Sequence, residues 1–137
     1  MKILVVEDDP MLAMMAEEAL TDAGHAVAGP AATVAQAIAC LAGEAVDFAI
    51  VDINLEGHNE GIALAAVLKE TYGIPSMFLS AKVEVLAGEA PAALGFLPKP
   101  YVLDDLVLCV EGLHAVARGE TPARPFPRAL KLFTPGS

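Results

Sequence analysis

Five side chains in this sequence have the types and the placement to do chemistry together: Glu7, Asp8, Asp52, Ser80 and Lys99. Each lies within two residues of the end of a short run of aliphatic, β-branched or aromatic residues, namely Ile3 to Val6, Phe48 to Val51, Met77 to Leu79 and Leu94 to Leu97. Like carboxylates a few ångström apart repel, and in a partly buried cleft the cost is on the order of several kcal/mol. A hard divalent cation relieves it, and Mg²⁺ takes one or two carboxylates, several waters and a phosphate oxygen. Asp8 and Asp52 can bind such an ion directly, with Glu7 holding a metal-bound water. Lys99 can pair with Asp52 or with an incoming oxyanion, and Ser80 can donate a hydrogen bond to the same group. An Asp carboxylate facing Mg²⁺, an ammonium and a hydroxyl donor is equipped to accept a phosphoryl group as an acyl phosphate.

Convergence requires the four runs to lie side by side. Their unbroken apolarity fits strands buried on both faces, and a further short strand is expected near Ala26 to Gly29. Helical stretches separate them. Asp9-Pro10 supplies an N-cap and a Pro at the first helical position; Leu12, Met15, Ala19 and Leu20 then share a face, and Gly24 ends the helix. Thr33 can cap a second helix with Val34, Ala37, Ile38 and Leu41 inward. Gly61 to Tyr72 reads as a helix, and Leu106, Val110, Leu113 and Ala117 line the inner stripe of a last one. Strands and helices alternate five times, which predicts an α/β fold: a five-stranded parallel sheet, doubly wound, with right-handed crossovers. In such a sheet ligands sit at the carboxyl ends of the strands, where the five side chains are.

Composition narrows the classes further. The chain has 137 residues, 55% hydrophobic and 19% charged, which gives one domain with a real core and excludes disorder. Residues 1–117 hold four Lys against seventeen Asp and Glu, a balance of −13, so a nucleic-acid backbone would be repelled. Residues 118–137 set Arg118, Arg124, Arg128 and Lys131 against Glu120, a balance of +3. The domain is expected over 1–118. Residues 119–137 form a basic, apolar tail in which Pro122, Pro125, Pro127 and Pro135 forbid a continuous helix. Disorder is the first expectation for it, with folding back on the acidic body or docking to a partner as the alternatives. Cys40 and Cys109 sit in apolar helical contexts and make neither a disulfide framework nor a metal cluster. Met11, Met14 and Met15 are read as helix packing, His58 as an exposed loop residue, and His25 and His114 offer no ligand spacing. Neither a signal peptide nor a membrane span is visible, so a cytoplasmic, soluble chain is expected. No GxGxxG or GxxxxGK[ST] loop is present to cradle a nucleotide.

The blocks Leu4-Val5-Val6-Glu7-Asp8-Asp9-Pro10, Val51-Asp52-Ile53-Asn54, Leu79-Ser80-Ala81 and Gly95-Phe96-Leu97-Pro98-Lys99-Pro100 resemble, in order and spacing, the signatures of response-regulator receiver domains. The resemblance covers about residues 1–118 and implies a flavodoxin-like (βα)5 fold. It implies Asp52 as phosphoacceptor and Mg²⁺ held by Asp8, Asp52 and the Asn54 backbone carbonyl, with Glu7 acting through water. It makes Ser80 and the Ala81 backbone phosphoryl contacts, Lys99 the phosphate-contacting lysine, Ser80 and Phe96 the switch pair, and Lys99-Pro100 a cis bond. Asn54 and Lys82 stand where phosphoryl lifetime is tuned; Lys82 either shields the acyl phosphate or sits in solvent. Implied partners are a sensor histidine kinase or histidine phosphotransfer protein and a downstream protein target. A homodimer through the fourth helix, fifth strand and last helix is a further reading, since the outward Leu103, Val107 and Leu108 are apolar.

Three departures from the family pattern stand out. The loop Leu55-Glu56-Gly57-His58-Asn59-Glu60-Gly61 lacks the usual Met-Pro and is about one residue longer. The fifteen residues between Ser80 and Phe96 are short for a fourth helix and contain Gly88 and Pro91, so an irregular or mobile helix is expected. Lys82 is the third. The leading function is a stand-alone receiver in two-component signal transduction, a signalling protein rather than an enzyme. A degenerate receiver used as a constitutive scaffold is one alternative. An aspartyl-phosphate phosphatase or phosphotransferase is another, disfavoured because Asn54 stands where such enzymes carry a second Asp.

Overall fold

Uninterrupted apolar runs become central strands here, and the polar residue that ends each run marks the rim of the sheet. The computed structural model describes residues 1–55, 60–81 and 92–133. The chain runs β1 (Lys2–Val6), α1 (Pro10–Asp22), β2 (Ala26–Ala31), α2 (Val34–Leu41), β3 (Phe48–Asp52), α3 (Glu60–Tyr72), β4 (Ser76–Ser80), β5 (Gly95–Pro98), α4 (Leu103–Ala117) and β6 (Lys131–Leu132). Strand order is β2-β1-β3-β4-β5-β6. The first five strands are parallel, as expected, and β6 adds an antiparallel sixth at the edge of β5.

Every residue of β3 and β4 is buried. Alternation along the strands divides the core into two layers. Leu4, Val6, Val51, Phe78 and Phe96 face α2 and α3, where Ala37, Leu64 and Leu68 meet them. Ile3, Val5, Ile50, Leu79 and Leu97 face α1 and α4, against Ala16, Leu20, Leu106 and Val110. Asp9 caps α1, its Oδ1 accepting from the amides of Met11 at 3.0 Å and Leu12 at 3.3 Å, and the Thr33 hydroxyl accepts from Gln36 to cap α2.

Four expectations need correction. The inward face of α1 is Ala13, Ala16 and Leu20 rather than Leu12, Met15 and Ala19, because alanines let the helix lie close on the sheet. Met11, Met14 and Met15 are exposed on its outer side, not packed. On α4, Ala117 is exposed, while Cys109 and Gly112 join the inner stripe. The tail, finally, folds back on the body through residue 133: Leu130 is buried and β6 pairs with β5. The outward Leu103, Val107 and Leu108 line the cleft between α1 and α4. Cys109 is buried and Cys40 half-buried. Lys82, His58, Gly88, Pro91, Pro135 and the expected fourth helix lie outside the described residues, apart from the helix's last few positions, which are bends. Among the described residues no helix is long and apolar enough to cross a membrane.

Candidate functional site

Backbone ladders deliver the site. Asp52 is the last residue of β3, in register with Leu79; Ser80 ends β4, in register with Pro98 of β5. One residue beyond β5, the Lys99 amide donates to the Ser80 carbonyl at 2.8 Å. Just past β1, the Glu7 amide donates to the Ala31 carbonyl at 2.9 Å. All four sit on one rim, with Asp8 beside them.

There Glu7, Asp8 and Asp52 each present a carboxylate oxygen within 4.8 Å of the others. Glu7 and Asp52 are buried, at 2% and 5% exposure, while Asp8 is open to solvent. Lys99 bridges the buried pair, with Nζ 2.7 Å from Glu7 Oε1 and 3.5 Å from Asp52 Oδ2. The Asp9 amide donates to Glu7 Oε2 at 3.2 Å and the Asn54 amide to Asp52 Oδ1 at 3.1 Å, which fixes how the two carboxylates face the cleft.

The charge balance is incomplete. Burial, with the Asp52 charge adding to it, pushes Glu7 up to about 7 even though Lys99 pulls the other way. For Lys99, burial lowers the pKa, but Glu7 and Asp52 outweigh it and the ammonium is held more firmly than usual. Tyr101 is pushed up to about 12 by burial and by the negative charge of Glu7, Asp52 and Asp9. A clustered set of hard oxygen donors whose negative charge one ammonium does not neutralise suits a hard divalent cation.

Ser80 is buried at the rim. Ala81, next to it, lines a cleft of about 410 Å³ with Leu12, Lys99, Pro100 and Tyr101. The Lys99–Pro100 peptide is cis, as the resemblance implied, and Gly29–Pro30 is cis as well. Phe96 is buried on β5, with its ring stacked on Phe133 at a centroid distance of 5.7 Å. Sequence reasoning missed two residues here. Tyr101 was signalled only by its place after Lys99-Pro100, and Phe133 only as one apolar residue in the tail.

Gly61 is a structural requirement of the site. A β-carbon there would run into the Asp52 carbonyl and the Ile53 backbone, and its own amide donates to the Ile53 carbonyl at 3.1 Å. Neither obstacle is a side chain that can swing away. Gly61→Ala should therefore cost about 2 kcal/mol, read from urea unfolding, and loosen the Asp52 turn.

The family model for the response regulator receiver domain matches residues 3–111. The transcriptional regulatory protein TcrA of Mycobacterium tuberculosis is 32% identical over 127 residues, which is 90% of this chain and 49% of that protein. The phyllosphere-induced regulator PhyR of Methylorubrum extorquens is 32% identical over 103 residues, 73% of this chain and 38% of that protein. This chain thus spans about half or less of the curated relatives it matches. Among solved structures, the N-terminal domain of a response regulator/sensory box/GGDEF protein from Carboxydothermus hydrogenoformans superposes with a TM-score of 0.76 at 27% identity, covering 87% of this chain and 98% of that one.

Proposed function

The chain belongs to the response regulator receiver domain family of two-component systems, and from that premise we propose that it takes a phosphoryl group on Asp52 and uses the change to alter its contacts with another protein. The observation that carries the reading is Lys99, whose ammonium spans Glu7 and Asp52 at the ends of β1, β3 and β5. Asp8 and Asp52, with the Asn54 carbonyl and with Glu7 through a water, would hold Mg²⁺. When bound, that ion neutralises charge on the phosphoryl oxygens. An Asp52 carboxylate oxygen attacks the phosphorus of a phosphohistidine; the new O–P bond replaces the N–P bond, and the imidazole leaves. Lys99 and Ser80 contact the transferred oxygens, and the Ala81 amide contributes a further donor. Fixing Oδ1 with the Asn54 amide leaves Oδ2, on the Lys99 side, as the oxygen turned toward the donor.

The donor would be a sensor histidine kinase or a histidine phosphotransfer protein, and the apolar cleft beside Lys99 supports this reading as the face such a donor would meet. Outside this self-phosphorylation and self-dephosphorylation, the chain is read as a signalling protein rather than an enzyme. The test is intact mass after incubation with Mg²⁺ and acetyl phosphate, or with a phosphorylated histidine phosphotransfer protein. One added phosphoryl group is expected, absent from Asp52→Asn and from the metal-free sample. No gain from either donor, or a gain that Asp52→Asn keeps, would overturn the assignment.

A further inference from the structure

The tail makes a built contact that the phosphoryl chemistry does not explain. Arg124 donates to Glu111 Oε1 of α4 at 2.9 Å, while Glu111 Oε2 lies 2.8 Å from His25. Phe126 then lies in the space where Gly112 has no side chain; a β-carbon at Gly112 would strike its ring. Leu130 is buried in the layer that holds α1 and α4. From there the chain passes round the open edge of β5, pairing Phe96 with Lys131 and Gly95 with Leu132. Gly95 is equally tight, since a β-carbon would meet the Lys131 carbonyl at 2.6 Å. Last, the Phe133 amide donates to the Leu94 carbonyl at 2.9 Å, and its ring enters the other layer, stacked on Phe96 and edge-on to Phe78. The strap therefore spans both layers around one strand edge.

An open strand edge is a template for an extended segment of another chain. We propose that residues 124–133 are an intramolecular stand-in for such a segment, and that phosphorylation of Asp52 loosens them so that an extended apolar segment of the downstream protein takes their place. The tail itself shows what fits: aromatic or aliphatic side chains with the spacing of Phe126, Leu130 and Phe133, on a backbone antiparallel to β5. The trigger rests on the phosphoacceptor reading above. Lys99 follows a four-residue strand, divides its ammonium between Glu7 and Asp52, and is tied through its amide to Ser80. A phosphoryl group adds about −1.5 to −2 charge beside it and draws the ammonium toward the new oxygens. That pull acts on β5 three residues from Phe96, the residue on which Phe133 is stacked. Of the tail's described residues only Lys131 and Leu132 are in strand pairing, so a small shift of β5 removes much of the seat.

The test uses the full chain and a fluorescent synthetic peptide of residues 120–137. The unmodified chain should bind the peptide weakly, because its own tail competes. Phe133→Ala without phosphoryl donor, and the unsubstituted chain carrying one phosphoryl group by intact mass, should each bind it about tenfold more tightly. A chain that has gained the phosphoryl group yet binds the peptide no better overturns the gating and leaves the phosphoacceptor reading standing. Unchanged binding by Phe133→Ala overturns the stand-in. No mass gain counts against the phosphoacceptor reading itself and removes the trigger with it. A phosphorylation-dependent dimer, dispersed by excess peptide in size exclusion, assigns the seat to a second copy and overturns the choice of a downstream protein.

Discussion

Lys99→Met is expected to lower stability by about 3 to 5 kcal/mol at pH 8.5, about 2 kcal/mol more than at pH 5.5, and to slow phosphoryl uptake by about 10²–10³-fold. Methionine keeps most of the apolar stem, so the change tests the ammonium rather than the packing. Nζ stands 2.7 Å from Glu7 and 3.5 Å from Asp52, and both carboxylates are almost fully buried. Above its raised value of about 7 Glu7 is ionised in the parent chain; without the ammonium that pulls it down it takes up a proton, and the loss grows by about 1.4 kcal/mol per pH unit. Below that value Glu7 carries a proton in both chains, and what is lost is the ion pair with Asp52 and the hydrogen bond that Lys99 donates to Glu7. Urea unfolding of parent and variant at the two pH values gives the comparison, and the time course of intact mass gives the uptake. An equal loss of stability at both pH values would show that Lys99 acts through its packing.

The same local rule made the site easy to read and the tail hard. Ile3 to Val6 and Phe48 to Val51 are apolar without alternation, which only a strand covered on both faces tolerates, so Glu7 and Asp52 at their ends had to lie on one rim. Nothing comparable fixes α1. Its sequence offers Leu12, Met15 and Ala19 as readily as Ala13, Ala16 and Leu20, and the choice falls to how closely a helix can approach the sheet. Small side chains win at that distance, and the methionines turn outward. In the tail the prolines did exclude a helix, but they said nothing about where an extended chain would find partners. Those partners are set by tertiary juxtaposition: Gly112 with Phe126, Gly95 with Lys131, Phe96 with Phe133. Each pair joins residues 14 to 37 positions apart in the sequence, and no periodicity connects them. Tyr101 escaped for a related reason, since its burial beside three carboxylates comes from the turn after β5 rather than from any repeat.

Magnesium should bind more tightly as the pH rises toward 7 and level off above it, with about one proton released per ion at pH 6. The sign follows from Glu7. Its carboxyl is raised from an ordinary 4.5 to about 7 in the folded chain, chiefly by burial and by the nearby Asp52. Between those values the metal-free folded state holds a proton that the unfolded chain has lost. The resulting stability is fully present below pH 4.5 and is lost as the pH climbs through 7, a change on the order of 3 kcal/mol. A cation among Glu7, Asp8 and Asp52 supplies the positive charge that the proton otherwise brings, so the two compete. Isothermal titration in two buffers of different ionisation enthalpy counts the protons, and thermal unfolding with and without Mg²⁺ should show a rise in melting temperature that grows from pH 6 to pH 8. Two variants separate the causes. Glu7→Gln has no proton to release, so it should flatten the metal-free stability profile between pH 4.5 and 7. Asp8→Asn removes a ligand from the cluster, yet Asp8 is not among the groups that displace Glu7. It should weaken Mg²⁺ binding at every pH while leaving the metal-free profile in place. If Asp8→Asn flattened that profile as well, the raised carboxyl would belong to the cluster as a whole and not to Glu7.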